Sequence, residues 1–315
     1  MAEHRSGLLA GIGAYLLWGL IPLFWPLLEP AAPVEILAHR VAWSLVFLAG
    51  VLALTVGFGW LRTLGRRRAR LLALAAALVT VNWGVFIYGV LNDQVVDVSL
   101  GYFINPLVTV ALAVGVLGER LRRRQVVALA IAAAGVAVLA VDHGRPPWIA
   151  LALAFSFGAY GLVKKRAGVD GTQSLAFETA LLVVPALAYL VWLERSGDST
   201  FTTEGAGHIA LLAAAGVVTA VPLMLFGAAA IRIPLATLGQ LQYIAPVMQF
   251  LIGVLVYDEA MPSSRLAGFV LVWIALAVFI YDAARTARSA RDARSAAARR
   301  ADEPPEPALA GATER

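Results

Sequence analysis

The run "NPLVTVALAVGVLGERL", residues 105–121, is an apolar stretch that ends in a glycine and two charges. The run "APVMQFLIGVLVYDEAM", residues 245–261, ends in a similar way 140 positions later. At that offset Pro106 meets Pro246, Val114 meets Val254, Glu119 meets Glu259 and Asp142 meets Asp282. At offset 139, Thr80 meets Thr219 and His39 meets Glu178. The identities are sparse but spread over half the chain. Self-similarity at a fixed spacing is the mark of a repeated unit, so the fold depends on what one unit contains.

Composition answers that. The 315 residues are 60% hydrophobic and 14% charged, with mean hydropathy +0.79. A soluble domain carries roughly 25% charged residues, so the chain reads as a membrane protein. A helix needs roughly 20 mostly apolar residues to cross the hydrocarbon core. Ten stretches qualify: 7–28, 34–57, 69–91, 96–117, 122–141, 146–163, 173–193, 206–230, 236–256 and 263–282. The start "MAEHRSG" leads into a run too long for a signal-peptide core, which reads as a retained first span. Five spans per unit is an odd number, so the second unit must be inverted. The expected fold is an all-α polytopic membrane protein: ten transmembrane helices in two inverted five-helix repeats, 1–142 and 143–282. A basic tail, 283–315, follows; it is either a solvated extension or an Arg-rich helix on the anionic inner leaflet, and its Pro/Glu-rich end reads as disordered.

Charge sets the orientation. Of 25 Lys and Arg residues, 21 fall in segments on the side of the termini and 3 on the other, with Arg40 inside a span. Cytoplasmic segments carry the Lys/Arg excess, so both termini are expected in the cytoplasm and the protein in the cell's inner membrane. The basic balance thus reports topology and argues against a nucleic-acid partner; the lipid bilayer and a small-molecule substrate are the expected ones. There is no cysteine, so disulfide and thiolate chemistry are excluded. Lysine occurs only at Lys164 and Lys165 without a phosphate-binding loop. Scattered histidines and missing hydrolase motifs argue against a metal, a cofactor or an enzyme.

Polar residues recur inside the spans. Ser99, Tyr102, Pro106 and Thr109 share one helical face, with Asn105 beside them. In the matching span Gln242, Pro246 and Gln249 do the same, with Tyr243 adjacent. At offset 140 Tyr102 pairs with Gln242, Pro106 with Pro246 and Thr109 with Gln249. Prolines in a span free a carbonyl one turn earlier, so Pro106 and Pro246 are candidate hinges and the stripes candidate cavity walls. The other reading is hydrogen-bonded glue between helices. Asn82 and Trp83 lie deep in the third span, Tyr15 and Trp18 midway along the first, and Phe157 and Tyr160 in the corresponding region of the sixth; Trp18 and Trp83 are too deep for interface anchors and either stack on a substrate or fill the core.

Ionisable groups in the spans are few. Arg40 sits about 9 Å inside the outer boundary at 1.5 Å per residue; it either snorkels to the interface or binds solute. Glu178 sits about as deep from the opposite side, which leaves roughly 13 Å of a 30 Å core between them. That argues against a static pair and for one charged group at each end of the cavity. His39, which titrates near neutral pH, and Glu178 are candidate carriers of a coupling proton. Glu119 and Glu259 are expected to complement the dipoles of the helices they precede. The small-residue run "ALAIAAAGVAVLA" from Ala128 suits close packing or a homodimer face.

The stretches "AYLLWGLIPLFW" from Ala14, "EILAHRVAWSL" from Glu35, "SLGYFINPLVTVALAVGVLGERL" from Ser99 and "LQYIAPVMQFLIGVL" from Leu241 resemble RarD-type proteins. These belong to the EamA branch of the drug/metabolite transporter superfamily. The likeness covers residues 6–282; Asp258-Glu259 departs from the family's usual Gly-Glu. It implies ten helices in two inverted repeats and export of small molecules across the inner membrane. The expectation is therefore a secondary transporter working by alternating access. A membrane-embedded enzyme acting on a lipid or isoprenoid is the alternative; it would need paired acids or a nucleophile and base. A structural subunit is the third reading, and mirrored polar stripes would be idle in it.

Overall fold

The computed structural model describes residues 2–92, 95–143, 148–256, Arg285 and, except 269, 272 and 279, residues 266–282. Asp258, Glu259, the side chains of Ser99 and Asp142, and the tail past Arg285 lie outside the described residues. The helices are α1 (Ala2–Leu20), α2 (Pro33–Leu54), α3 (Trp60–Thr63), α4 (Arg66–Leu91), α5 (Val95–Leu117), α6 (Arg123–His143), α7 (Trp148–Ala167), α8 (Gly171–Ser196), α9 (Gly205–Arg232), α10 (Leu235–Leu241) and α11 (Ile244–Val256). A shorter apolar helix, α12, covers Leu266–Asp282. No strand occurs among the described residues. Among the described residues, seven helical stretches are by length and composition able to cross a membrane: α1 with the turn after it, α2, α4, α5, α8, α9, and α10 with α11. Large apolar side chains such as Leu9, Leu54, Val184 and Leu255 point outward. In water that surface would be an aggregation hazard; in lipid it costs nothing.

Two expected spans differ in their course. The first ends at Leu20, and residues 21–28 form two short 3-10 turns, Ile21–Leu23 and Trp25–Leu28. Pro22 and Pro26 lack the amide hydrogen that would continue α1. The ninth is broken: α10 stops at Leu241 and α11 starts at Ile244, with the amides of Gln242 and Tyr243 bonded back to Gly239 and Gln240. Pro246 therefore lies in the first turn of α11, a position proline tolerates, whereas Pro106 lies inside the unbroken α5.

The helix starts repeat. Gly171, Gly205 and Leu235 open α8, α9 and α10, which is 138, 139 and 140 residues after Pro33, Arg66 and Val95 open α2, α4 and α5. Packing repeats as well. Helix α1 lies on α9 and α11 as α7 lies on α4 and α5, and α2 lies on α9 as α8 lies on α4. Helices α2 and α8 pack on each other. Each half's first helix is thus seated mainly on the other half, so the two halves interlock.

The end of the bundle that holds the N-terminus is tightly filled. Tyr160 and Phe226 are fully buried and stacked, 5.7 Å between centroids and 11° apart. A β-carbon on Gly171 would collide with the Met224 carbonyl and the Ala228 amide nitrogen of α9, so only glycine permits this approach of α8 to α9. Gly118 closes α5 with φ +66°, a left-handed turn that favours glycine. The Glu119 amide bonds back to the Ala113 carbonyl, and the Glu119 carboxylate is thereby aimed at α10.

Candidate functional site

A cavity of about 290 Å³ lies between α1, α2, α4, α5, α7 and α11, towards the end away from the N-terminus. Helix periodicity puts Asn82, Trp83 and Phe86 on the cavity side of α4 and Tyr102 and Asn105 on that of α5. Trp18 comes from α1, Phe157 from α7, and Gln242, Pro246 and Gln249 from the α10–α11 break and beyond. The wall is aromatic with a few fixed amides, the composition of a small-molecule pocket.

The polar groups are held in place by backbone and hydroxyl partners. The Asn82 side-chain amide donates to the Leu153 carbonyl (3.0 Å) and to Ser156 Oγ (2.9 Å) across to α7. Gln249 Nε2 donates to the Trp18 carbonyl at 3.2 Å. The Thr109 hydroxyl reaches Asn105 Oδ1 (3.4 Å) and Gln242 Oε1 (3.3 Å), joining α5 to the α10–α11 break. Gln242 Nε2 is buried on the cavity wall beside the Tyr15 side chain and makes no hydrogen bond of ordinary geometry among the described residues. Pro106, inside α5, deprives the carbonyl four residues earlier, Tyr102, of its α-helical donor, whereas Pro246 sits in the first turn of α11 after the break at Gln242 and removes none; Tyr102 and Gln242 both line the cavity.

Among the described residues, Arg40 is the one cation on the cavity wall. Its guanidinium carbon lies 4.9 Å from the Trp25 ring centroid and 5.4 Å from that of Trp83. Its Nε donates to Thr219 Oγ1 at 2.7 Å. Among the described residues no carboxylate pairs with it. Two indole faces and a hydroxyl stabilise the charge by about 0.5–2 kcal/mol per ring without neutralising it, so the site favours an anionic ligand group.

Other residues singled out in the sequence lie elsewhere. His39, about 100° round the helix from Arg40, is buried against Phe201 with ring centroids 4.6 Å apart. It helps fasten the 197–204 loop, as does Glu35, which accepts from the Thr200 amide at 2.8 Å. Tyr243 is buried among α5, α7 and α12 residues and does not line the cavity. Glu178 does not line the cavity and has its own partner. Its Oε1 accepts from Lys164 Nζ at 2.8 Å and its Oε2 from the Tyr160 hydroxyl at 2.9 Å. Lys164 also donates to Ser174 Oγ, and both charged side chains are almost fully buried. The stacked Tyr160 and Phe226 rings stand between this pair and the cavity floor at Tyr15, Trp18 and Phe157. Glu119 does not serve its own following helix. Its two oxygens accept from the Leu235 and Ala236 amides, both 2.9 Å, at the start of α10, and Lys165 lies 3.7 Å away.

The sequence reading missed Trp25, Thr219 and Lys164. Pro22 and Pro26 were the signal for Trp25, because they end α1 and fold Trp25 over the cavity mouth. The pairing of Thr219 with Thr80 marked the repeat but not a ligand of Arg40. Lys164 belongs to a basic run that reads as a cytoplasmic segment following the span 146–163, whereas α7 continues to Ala167 and Lys164 is buried.

Comparison with known proteins bears on the whole chain. The EamA-like transporter family matches residues 5–141. A Streptomyces exfoliatus protein named RarD is 58% identical over 90% of this chain and 91% of its own length. An uncharacterized transporter of Bacillus subtilis, YojE, is 42% identical, and RarD of Escherichia coli 41%, with 96% and 97% of their lengths matched. A crystal structure 20% identical in sequence superposes with a TM-score of 0.66 over 87% of this chain and 97% of that one, which shows a shared fold. The chain therefore belongs to the RarD-type proteins of the EamA-like transporter family and is a multi-pass membrane transporter.

Proposed function

We propose that the protein is a secondary transporter of the inner membrane that exports a small organic solute with an anionic group and an apolar or aromatic body. It does so by alternating access, with ten spans in two inverted repeats and both termini in the cytoplasm. The observation that carries the reading is Arg40, an unneutralised guanidinium between two indole rings in an aromatic cavity with fixed amides. A charge kept there unpaired is costly in a membrane and is a functional residue by default. The repeated helix starts and matched packing partners support the inverted repeat, and inverted repeats place the solute at their interface. The arginine excess on the terminus side supports cytoplasmic termini. A second copy is proposed to dock on α6, whose Val126 and Val127 are exposed.

Flux of labelled aromatic carboxylates, benzoate first, through proteoliposomes tests this. Wild-type protein should give saturable flux above protein-free vesicles. Arg40→Leu should lower it by about tenfold or more, and Arg40→Lys should fail too, because an ammonium cannot replace a planar fork of donors. Wild-type flux in Arg40→Leu, or no carboxylate flux in the wild type, would contradict the reading. An imposed pH gradient in the same vesicles tests proton coupling through Glu178.

A further inference from the structure

The repeat carries a consequence for the buried pair at the closed end. The triplet Trp18-Gly19-Leu20 of α1 recurs 142 residues later as Tyr160-Gly161-Leu162 of α7. That register sets Tyr160 opposite Trp18 and Lys164 opposite Pro22. Counted from helix starts, Glu178 is the eighth residue of α8 as Arg40 is the eighth of α2. Trp18, Pro22 and Arg40 all line the open cavity. Their counterparts Tyr160, Lys164 and Glu178 form one sealed cluster at the other end.

The two clusters share a recognition set. At the open end a cation lies on aromatic faces and bonds a hydroxyl: Arg40 with Trp25, Trp83 and Thr219. At the sealed end Lys164 Nζ lies 5.3 Å from the Tyr160 ring centroid and bonds the Ser174 hydroxyl. The difference is that the sealed cation already holds an anion, the Glu178 carboxylate. The seal itself is thin. Gly171 and Gly227 touch directly beside the pair, and a β-carbon on Gly227 would stand 2.8 Å from Gly171 Cα and 3.6 Å from Lys164 Nζ.

We propose that Lys164 is a second anion-binding site, which opens to the terminus side in the alternate state, and that Glu178 is its built-in occupant. A carboxylate-bearing solute takes the place of Glu178 on Lys164, and Glu178 is left to the water of the opened vestibule and to the Tyr160 hydroxyl. On closing, Glu178 returns to Lys164 and expels the solute's anionic group from that end. This rests on the alternating-access reading and adds to it where the solute is first held.

The chain has no cysteine, so Gly227→Cys gives one thiol that both props the glycine contact and reports beside Lys164. The purified full chain is treated with a charged methanethiosulfonate reagent, with and without millimolar benzoate. The thiol should react, and benzoate should slow the reaction about fivefold or more. Adding Glu178→Gln should lower the benzoate needed by about tenfold, because the internal competitor is gone. Adding Lys164→Gln should abolish protection. If Gly227→Cys does not insert, Ser174→Cys alone keeps the Gly171 contact and places the thiol beside Lys164 for the same readout. An unreactive thiol in folded protein, no protection, or equal weakening by Glu178→Gln and Lys164→Gln would show a purely structural pair and overturn the proposal. Benzoate protection of Asn105→Cys, lost with Arg40→Gln, reports the open cavity separately. Loss at both sites would indict the transport reading, and loss only beside Lys164 this inference alone.

Discussion

Replacing Glu119 by alanine should unlatch two halves of the chain at one point. Glu119 closes α5, yet its carboxylate caps α10 through two 2.9 Å bonds from the Leu235 and Ala236 amides. Those amides have no partner within a helix that begins at Leu235, and the backbone of Leu235 is buried among the core residues around Phe226. Losing an N-terminal cap costs about 0.5–2 kcal/mol, and bonds to a charged acceptor lie at the upper end of the scale. A loss of about 2 kcal/mol follows, or about 30-fold in the unfolding equilibrium. Glu119→Gln keeps one acceptor and should lose about half of that. Lys165→Met removes the 3.7 Å ion pair at a partly exposed edge together with the 2.6 Å bond from Lys165 Nζ to the Ile233 carbonyl, and should cost about 1–1.5 kcal/mol, still less than Glu119→Ala. The assay is unfolding of purified protein in mixed micelles titrated with sodium dodecyl sulfate. Alanine and wild type within about 0.5 kcal/mol of each other, or a larger loss from Lys165→Met than from Glu119→Ala, would refute the capping argument.

Three further outcomes follow from the same geometry. Glu178→Leu leaves Lys164 buried without a counter-ion and should destabilise by about 3–5 kcal/mol, while the double change Lys164→Met with Glu178→Leu should recover most of the loss; equal destabilisation by both would show that the pair is not the reason. Pro106→Ala restores a helical donor to the Tyr102 carbonyl, so it should insert normally and transport more slowly, whereas Pro246→Ala, in the first turn of α11, should change flux less; unchanged flux in Pro106→Ala would make that proline a packing residue. Reporter fusions after residues 65, 120, 166 and 232 should give cytoplasmic signals and fusions near 31, 94 and 200 the opposite, and a reversal between the halves would remove the inverted repeat.

Much of the cavity could be read from the chain because polar residues inside apolar spans stand out. Asn82, Tyr102, Asn105, Gln242 and Gln249 each break a hydrophobic run at a helical spacing, and the fold brings all five to one wall. Residues that break no pattern were invisible. Trp25 looked like part of an unbroken first span until Pro22 and Pro26 ended the helix before it. Lys164 was hidden in a basic run whose neighbours Lys165 and Arg166 do reach the boundary. His39 stood beside Arg40 in sequence, but adjacent helical residues face different neighbours, and Phe201 arrives from a loop more than 160 residues away. Helix-to-helix partners of this kind depend on packing angle and rotation, which short-range periodicity does not contain.

The central claim is that one cavity is reached from both sides of the membrane in turn. Tyr102 is 40% exposed on the cavity wall, and Tyr102→Cys would be the only thiol in the chain. The direct measurement is its reaction with a membrane-impermeant thiol reagent applied separately to each face of oriented, sealed vesicles. Labelling is expected from both faces, and Gly227→Leu, a wedge in the contact with Gly171, should raise the rate from the terminus side and lower it from the far side. Labelling from the far side alone, unchanged by the wedge in folded protein, would contradict it.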